Sequence, residues 1–288
     1  LRDRTIDRTS NPRKDHERQP TEDWPLTVNT FAPSAQTQVG APDGFWFGQL
    51  DIKVESEIVL SRAINLSSSI GYNVWNNYSD LKLESSSVLQ HVRTDINRYL
   101  RAGTNSPFIK NLQGNFFFNP AGDFYGKFSA GILERMFGGY GFELLYKPFD
   151  SIWGVGMEAW RVKQRDYDMQ FSFLDYETTT GFLSFYLREP KTRLFLNVSG
   201  GRFLAEDSGI VVDISRQFKS GMNIGAFFAR TDISKEEFGE GSFDKGIYFN
   251  VPLQIFSKKY RTNQTGFSLR PLTRDGAARI KHGFNLWS

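Results

Sequence analysis

The feature that most constrains this chain is a two-residue beat of apolar and polar side chains, recurring from about Leu26 to Trp287. Ile247, Phe249, Val251, Leu253 and Ile255 fall on one side of their segment, while Tyr248, Asn250 and Gln254 fall on the other. Ile210, Val212 and Ile214 oppose Val211, Asp213 and Ser215 in the same way. A β-strand points successive side chains to opposite faces, so the beat predicts strands with one apolar and one wetter face. The wetter face, rich in small and polar residues, suits a water-filled lumen better than a dry core.

Composition narrows the choices. The chain has 288 residues, with 35 basic against 32 acidic side chains, so it lacks the electrostatic footprint of a nucleic-acid binder. Cysteine is absent, which removes disulfides, thiol chemistry and thiolate metal sites. No run of roughly 18 apolar residues exists, so no transmembrane helix is predicted. Negative mean hydropathy does not argue against a β-barrel, because only every second strand residue meets lipid. Leu1 is not followed by a signal-like apolar stretch, so a secretory signal is expected to be already removed or to lie upstream. Residues 1–23 are charged, Pro-broken and almost free of apolar side chains, and predict a flexible linker.

From residue 24 to 288 the pattern predicts one all-β domain, an antiparallel transmembrane β-barrel of about 14 strands, or about 12 if 24–32 and 264–270 do not form strands. Residues 76–108 break the beat. There Leu89, Val92, Ile96 and Tyr99 recur at helical steps and predict a short helix in a long loop, with serines 85–87 as candidate caps. Long loops are predicted at 32–44, 76–108, 164–178 and 232–245, and tight turns near 60, 120, 149, 190 and 220. All the long loops then fall at one end and all the tight turns at the other, as in outer-membrane barrels. Ala277–Trp287 is predicted as the last strand, with Phe284, Leu286 and Trp287 as a terminal aromatic signal. Trp46, Trp75, Trp153, Trp160 and Trp287 suit an interfacial girdle. Phe124, Phe128, Ile132, Val155, Met157, Ile247, Phe249 and Val251 are assigned outward. A soluble sandwich has the same beat with the faces inverted.

Four stretches resemble one family: Leu89–Ile96 (LQHVRTDI), Gly131–Gly139 (GILERMFGG), Phe238–Gly246 (FGEGSFDKG) and Arg270–Ala277 (RPLTRDGA). They are similar to the YjbH family, Gram-negative outer-membrane proteins encoded with exopolysaccharide and capsule machinery. The resemblance spans about residues 24–288 and implies a role in polysaccharide secretion or modification at the outer membrane. Family members are longer and begin with a lipoprotein signal, so the resemblance covers their C-terminal part. It implies no catalytic residue, because the family has no established catalytic motif.

The candidate lumen residues for polysaccharide contact are Lys127, Glu143, Glu158, Asp213 and Lys281. The candidate loop residues for a cation, a sugar or a partner are Glu236, Glu237, Glu240, Asp244, Arg270 and Arg274, with Asp275 in the same turn. The spacing of the acidic loop lacks the alternation of a calcium loop. No metal, cofactor or catalytic residue is assigned. His16, His91 and His282 lack converging partners, and outward parity for His282 near Ser268 leaves only a lipase-like site to consider. The expected function is non-enzymatic: an outer-membrane barrel whose lumen guides or gates a hydrated polysaccharide. The alternatives are an anchor that docks secretion proteins or an upstream domain, an autotransporter-like translocator, and an outer-membrane enzyme. The expected partners are the bilayer, polysaccharide and secretion-machinery proteins, with no nucleic acid.

Overall fold

The computed structural model describes residues 24–41, 44–80, 89–102, 104–234, 244–252, 264–269 and 275–287. The predicted linker 1–23, the serines at 85–87 and the acidic loop centred on Glu236, Glu237 and Glu240 lie outside the described residues.

The chain is almost entirely β. Thirteen described strands follow one another: β1 (Leu26–Ala41), β2 (Gly44–Val59), β3 (Ile64–Asn76), β4 (Pro107–Phe118), β5 (Phe124–Ile132), β6 (Phe137–Tyr146), β7 (Trp153–Arg165), β8 (Phe173–Glu189), β9 (Leu194–Arg202), β10 (Ser208–Gln217), β11 (Asn223–Thr231), β12 (Asp244–Pro252) and β13 (Gln264–Leu269). They form a single sheet in the order β1 to β13. Each strand pairs antiparallel with its sequence neighbours, as in Lys127 opposite Glu143 on β5 and β6. Among the described residues β13 and β1 are not paired with each other. The helical steps near residue 96 become α1 (Ile96–Ala102), the single described α-helix, preceded by a 3-10 turn at Tyr78–Asp80. No described helix is long and apolar enough to cross a membrane.

Tight connections join β4 to β5, β6 to β7, β8 to β9 and β10 to β11 at one rim. Their chemistry is local. Asp150, Arg193 and Gly221 take positive φ values of 57, 57 and 84°, which close the turns after β6, β8 and β10. The opposite rim carries the segment that holds α1 and the connections 166–172 and 232–243, but β1 and β2 are joined there by residues 42–43 alone, and on the tight-turn side the step from β12 to β13 takes residues 253–263.

The two faces of the sheet are inverted relative to a soluble protein. Buried side chains on one face include Gln49, Asp51, Lys53, Gln113, Asn115, Lys127, Ser129, Glu143, Glu158, Ser184 and Ser199. The other face exposes Leu50, Ile52, Val54, Phe116, Phe128, Phe142, Met157, Leu183, Phe185, Ile210, Ile214, Ile247 and Phe249. Leu183, in the middle of β8, is 63% exposed, while its neighbour Ser184 is 3% exposed. A contiguous apolar face of this kind is far larger than water tolerates on a monomer. No second sheet covers it, so the sandwich alternative is not realised among the described residues.

Several expectations are corrected. Residues 32–41 are strand rather than loop, because β1 stays in register with β2 from Leu26 opposite Val59 to Ala41 opposite Gly44. Backbone pairing carries that stretch where the apolar beat fades, and Pro33 is tolerated because β1 is an edge strand. Ile132 is only 5% exposed, yet the register through Gly131 is unbroken and keeps it on the parity of Phe128 and opposite outward Leu112. Ala277–Trp287 is not a strand, and Trp160 and Trp287 are buried, not part of a girdle. Trp46, Trp75 and Trp153 are exposed on the apolar face.

A charge placed on that face tests its solvent. Leu183→Arg is expected to cost about 2–4 kcal/mol in a bilayer, as it does near the midplane of transmembrane barrels. Urea unfolding in lipid vesicles measures it. If the face met water, the same substitution would be close to neutral.

Candidate functional site

The candidate site begins with a conflict written into the strands. Glu143 on β6 lies directly opposite Glu158 on β7, and both point to the polar face. Like charges opposite one another in a sheet destabilise it. Lys127 on β5 sits opposite Glu143 and answers one of them, with its ammonium 2.6 Å from Glu143 Oε1. The second answer comes from the C-terminal segment. It leaves the sheet, enters at the loop rim and runs along the buried polar face to the short-turn rim.

His282 and Arg279 carry that answer. His282 places Nδ1 3.0 Å from Glu143 Oε1 and Nε2 3.2 Å from Glu158 Oε2. Two carboxylates on two ring nitrogens match the imidazolium, which donates from both. Arg279 binds the other oxygen of Glu158. The His282 ring stacks on Trp160 with centroids 4.4 Å apart. The backbone of the segment is held too: Gln113 donates to His282 O at 3.2 Å, Leu286 N donates to Glu143 Oε2 at 3.1 Å, and Lys127 donates to Phe284 O. Residues from four adjacent strands, β4 to β7, thus converge on residues 279–286. Strands lie about 4.8 Å apart, so the sheet must curl around the segment to bring them together.

The segment is also clamped where it enters. Asp275 accepts hydrogen bonds from Arg93 N at 2.8 Å, Thr94 N at 2.9 Å and Thr94 Oγ1 at 2.7 Å, which ties it to the loop before α1. Arg93 pairs with Glu134 at 2.8 Å. Buried Val92, Tyr99, Met136, Phe137, Met169, Leu204, Ala278 and Ile280 pack into one apolar cluster beneath the loop rim. The buried Arg165 guanidinium donates to the carbonyls of Ile109, Glu134, Arg135, Met169 and Gln170, fastening two loops and the start of β4 to one side chain. The loop rim is therefore a packed cap.

Asp207, in the connection between β9 and β10, accepts from Ala277 N at 2.7 Å. Burial pushes its carboxyl above the ordinary range, outweighing that hydrogen bond. The folded chain then binds the Asp207 proton more tightly than the unfolded chain. Its contribution to stability is greatest at low pH and fades as pH rises through the raised pKa.

Of the sequence-predicted lumen residues, Lys127, Glu143 and Glu158 meet in one network. Asp213 lies apart on β10, where it accepts from Tyr248 Oη at 2.8 Å. Lys281 is on the internal segment and is exposed. Asp244 is buried at the start of β12. Glu236, Glu237, Glu240, Arg270 and Arg274 lie outside the described residues. His282 was assigned to the lipid side as the possible partner of Ser268, and the structure turns it inward. The one signal was His282 itself, a titratable group on a lipid-facing position, since Arg279 and Lys281 fall on the lumen parity, where charge is at home.

Glu143, Glu158 and His282 offer three metal-ligand atoms within 4.8 Å of one another. Lys127 and Arg279 already hold the same carboxylates, so a cation would have to displace both. The chemistry on view is a charge-compensated latch.

Two outcomes check this. Glu158→Gln leaves Arg279 without its counter-charge, and truncating one partner of a buried pair costs roughly 3–5 kcal/mol. Hydrogen exchange in 277–287 is expected to accelerate well before the sheet itself opens. Asp207→Asn, which keeps a carbonyl acceptor for Ala277 N, is expected to be at least as stable as the parent at neutral pH. It should gain less stability on mild acidification, as read by urea midpoints.

The family model YjbH, described as "Exopolysaccharide biosynthesis protein YbjH", matches residues 2–288. The chain is 36% identical over 263 residues to the "Uncharacterized lipoprotein YjbH" of Escherichia coli strain K12, covering 88% of this chain and 37% of that protein. It thus spans little more than a third of that relative's length. Among solved structures it is similar to a loop L8 deletion mutant of OmpT, an outer membrane protein of Vibrio cholerae. The TM-score is 0.37 at 8% identity, covering 84% of this chain and 93% of the other, a likeness that adds nothing to the topology above. By the match across almost its whole length, the chain belongs to the YjbH family of exopolysaccharide biosynthesis proteins.

Proposed function

We propose that this chain is a non-enzymatic outer-membrane β-barrel serving exopolysaccharide export, and that its C-terminal segment is the gate of its lumen. The observation that carries the reading is the inverted sidedness: an exposed apolar face beside a polar interior that holds Lys127, Glu143 and Glu158. Acyl chains are the solvent for the first face, and a hydrated polymer is suited to the second. In lipid every backbone amide must pair within the structure, and a meander of antiparallel strands meets that need once its edges are covered. Membership of an exopolysaccharide biosynthesis family supplies the substrate class. The lipoprotein name of the Escherichia coli relative is consistent with an outer-membrane address.

Gating rests on where the segment lies. It occupies the interior along β4 to β9, and the cap closes the loop rim over it. A passage for polymer requires the segment to move, and the latch of two glutamates, Lys127, His282 and Arg279 sets the cost of moving it. The same closed rim also suits the second reading, a structural anchor that docks secretion proteins through its loops without conducting.

Planar bilayers separate the two. The parent chain is expected to conduct little, while Glu158→Gln and His282→Ala are expected to raise open probability, with added polysaccharide blocking the current. If the variants remain as silent as the parent while hydrogen exchange shows the segment released, the conduit reading fails and the anchor stands.

A further inference from the structure

The segment that closes the loop rim leaves a cavity at the opposite end. Its volume is about 430 Å³, within the roughly 300–1,000 Å³ typical of small-ligand sites. Its walls come from the ends of β8 to β12 and from the last residues of the internal segment. We infer that this cavity is a saccharide subsite that holds a short stretch of polymer at the short-turn mouth, an inference that rests on the polysaccharide reading above.

The aromatic floor is the first argument. Trp287 lies nearly parallel to Tyr186, with centroids 5.1 Å apart and 7° between planes, and Phe195 continues the step at 6.4 Å and 24°. The stack walls the cavity with ring edges and with the partly exposed Phe195, an apolar surface against which pyranose C–H groups can pack. The floor is built into the sheet. A Cβ on Gly154 would lie 2.5 Å from Trp287 Cζ3, and one on Gly156 would lie 2.9 Å from Tyr186 Cε2, so these two glycines of β7 make the seats. The Lys147 ammonium covers Trp287 from another side at 5.1 Å.

The polar atoms are the second argument. Trp287 is 8% exposed, and its Nε1 has no hydrogen-bond partner in the protein. Asn223 also lines the cavity, and its Oδ1 is likewise unpartnered. One is a donor and the other an acceptor. A sugar hydroxyl both donates and accepts, so a single kind of ligand group answers both. Buried polar atoms left open in this way stand out, because most find partners in a native fold.

Charge narrows the sugar. The charged residues of the lining are Arg188, Arg193 and Glu189, two cations to one anion. Arg188 lies over Phe195 at 5.8 Å, so its guanidinium borders the floor. Glu189 is partly engaged, accepting from Lys191 N at 2.9 Å. A uronate-bearing oligosaccharide fits this rim better than a neutral one.

Calorimetric titration of the full chain in detergent with tetragalacturonate and with cellotetraose tests the inference. Tetragalacturonate is expected to bind saturably and more tightly than cellotetraose. Trp287→Ala and Asn223→Ala are each expected to weaken it by roughly tenfold. Trp287→Phe keeps a ring for stacking and is expected to recover part of the loss, which a merely misfolded variant would not. Arg193→Ala is expected to weaken the acidic probe and leave the neutral one unchanged. If neither probe binds the parent, or if both alanine variants bind as tightly as the parent, the subsite is wrong. The conductance experiment is independent of this cavity, so the export reading can survive that result, and the subsite can likewise be judged when conductance fails.

Discussion

Two glutamates facing each other across neighbouring strands, inside a sheet whose other face is apolar, are the constraint that organises this molecule. Glu143 and Glu158 cannot turn outward without abandoning the alternation of their strands, and facing inward side by side they repel. Lys127 compensates one of them from within the sheet. The rest of the compensation has to come from elsewhere in the chain, and residues 279–286 deliver it as Arg279 and His282. A stretch with the length and aromatic ending of a last strand is thereby drawn inside.

The internal segment then dictates the two ends. At the loop rim it is clamped by Asp275 and Asp207 and covered by the cluster around Val92, Tyr99 and Phe137, so that end is packed. At the short-turn rim it finishes in Trp287, whose indole is seated by Gly154 and stacked on Tyr186, and the space beside it stays open. A lumen closed at one end and lined with aromatic and polar groups at the other has a direction. On the export reading proposed above, with short turns on the periplasmic side as in outer-membrane barrels, polymer would meet the aromatic floor first and the latch afterwards.

Much of this was legible in the residues. The beat yields β11 within Met222–Asp232 and β12 as far as Pro252, because one side of each is uniformly apolar. Turns such as Asn119–Asp123 announce themselves through Pro and Gly. The inward assignment of Lys127, Glu143 and Glu158 followed from parity alone. Errors arose where parity is carried by something other than local pattern. Residues 32–41 have no apolar beat, and they are strand because β2 offers a backbone ladder to pair with. His282 was placed on the lipid side because 277–287 was counted as a strand, whose alternation puts 282 opposite in parity to Arg279 and Lys281.

By itself the sequence determined the antiparallel all-β class, the short helix near residue 96, the tight turns near 60, 120, 149, 190 and 220, and the inward carboxylates, since each follows from alternation or turn chemistry within a few residues. Only the tertiary structure decided that the final eleven residues of the beat leave the sheet, that His282 bridges two glutamates more than a hundred residues away, and that Trp287 forms the floor of a cavity. Those outcomes depend on charge compensation between distant segments, and a periodic pattern records which face a side chain takes but not which partner waits there.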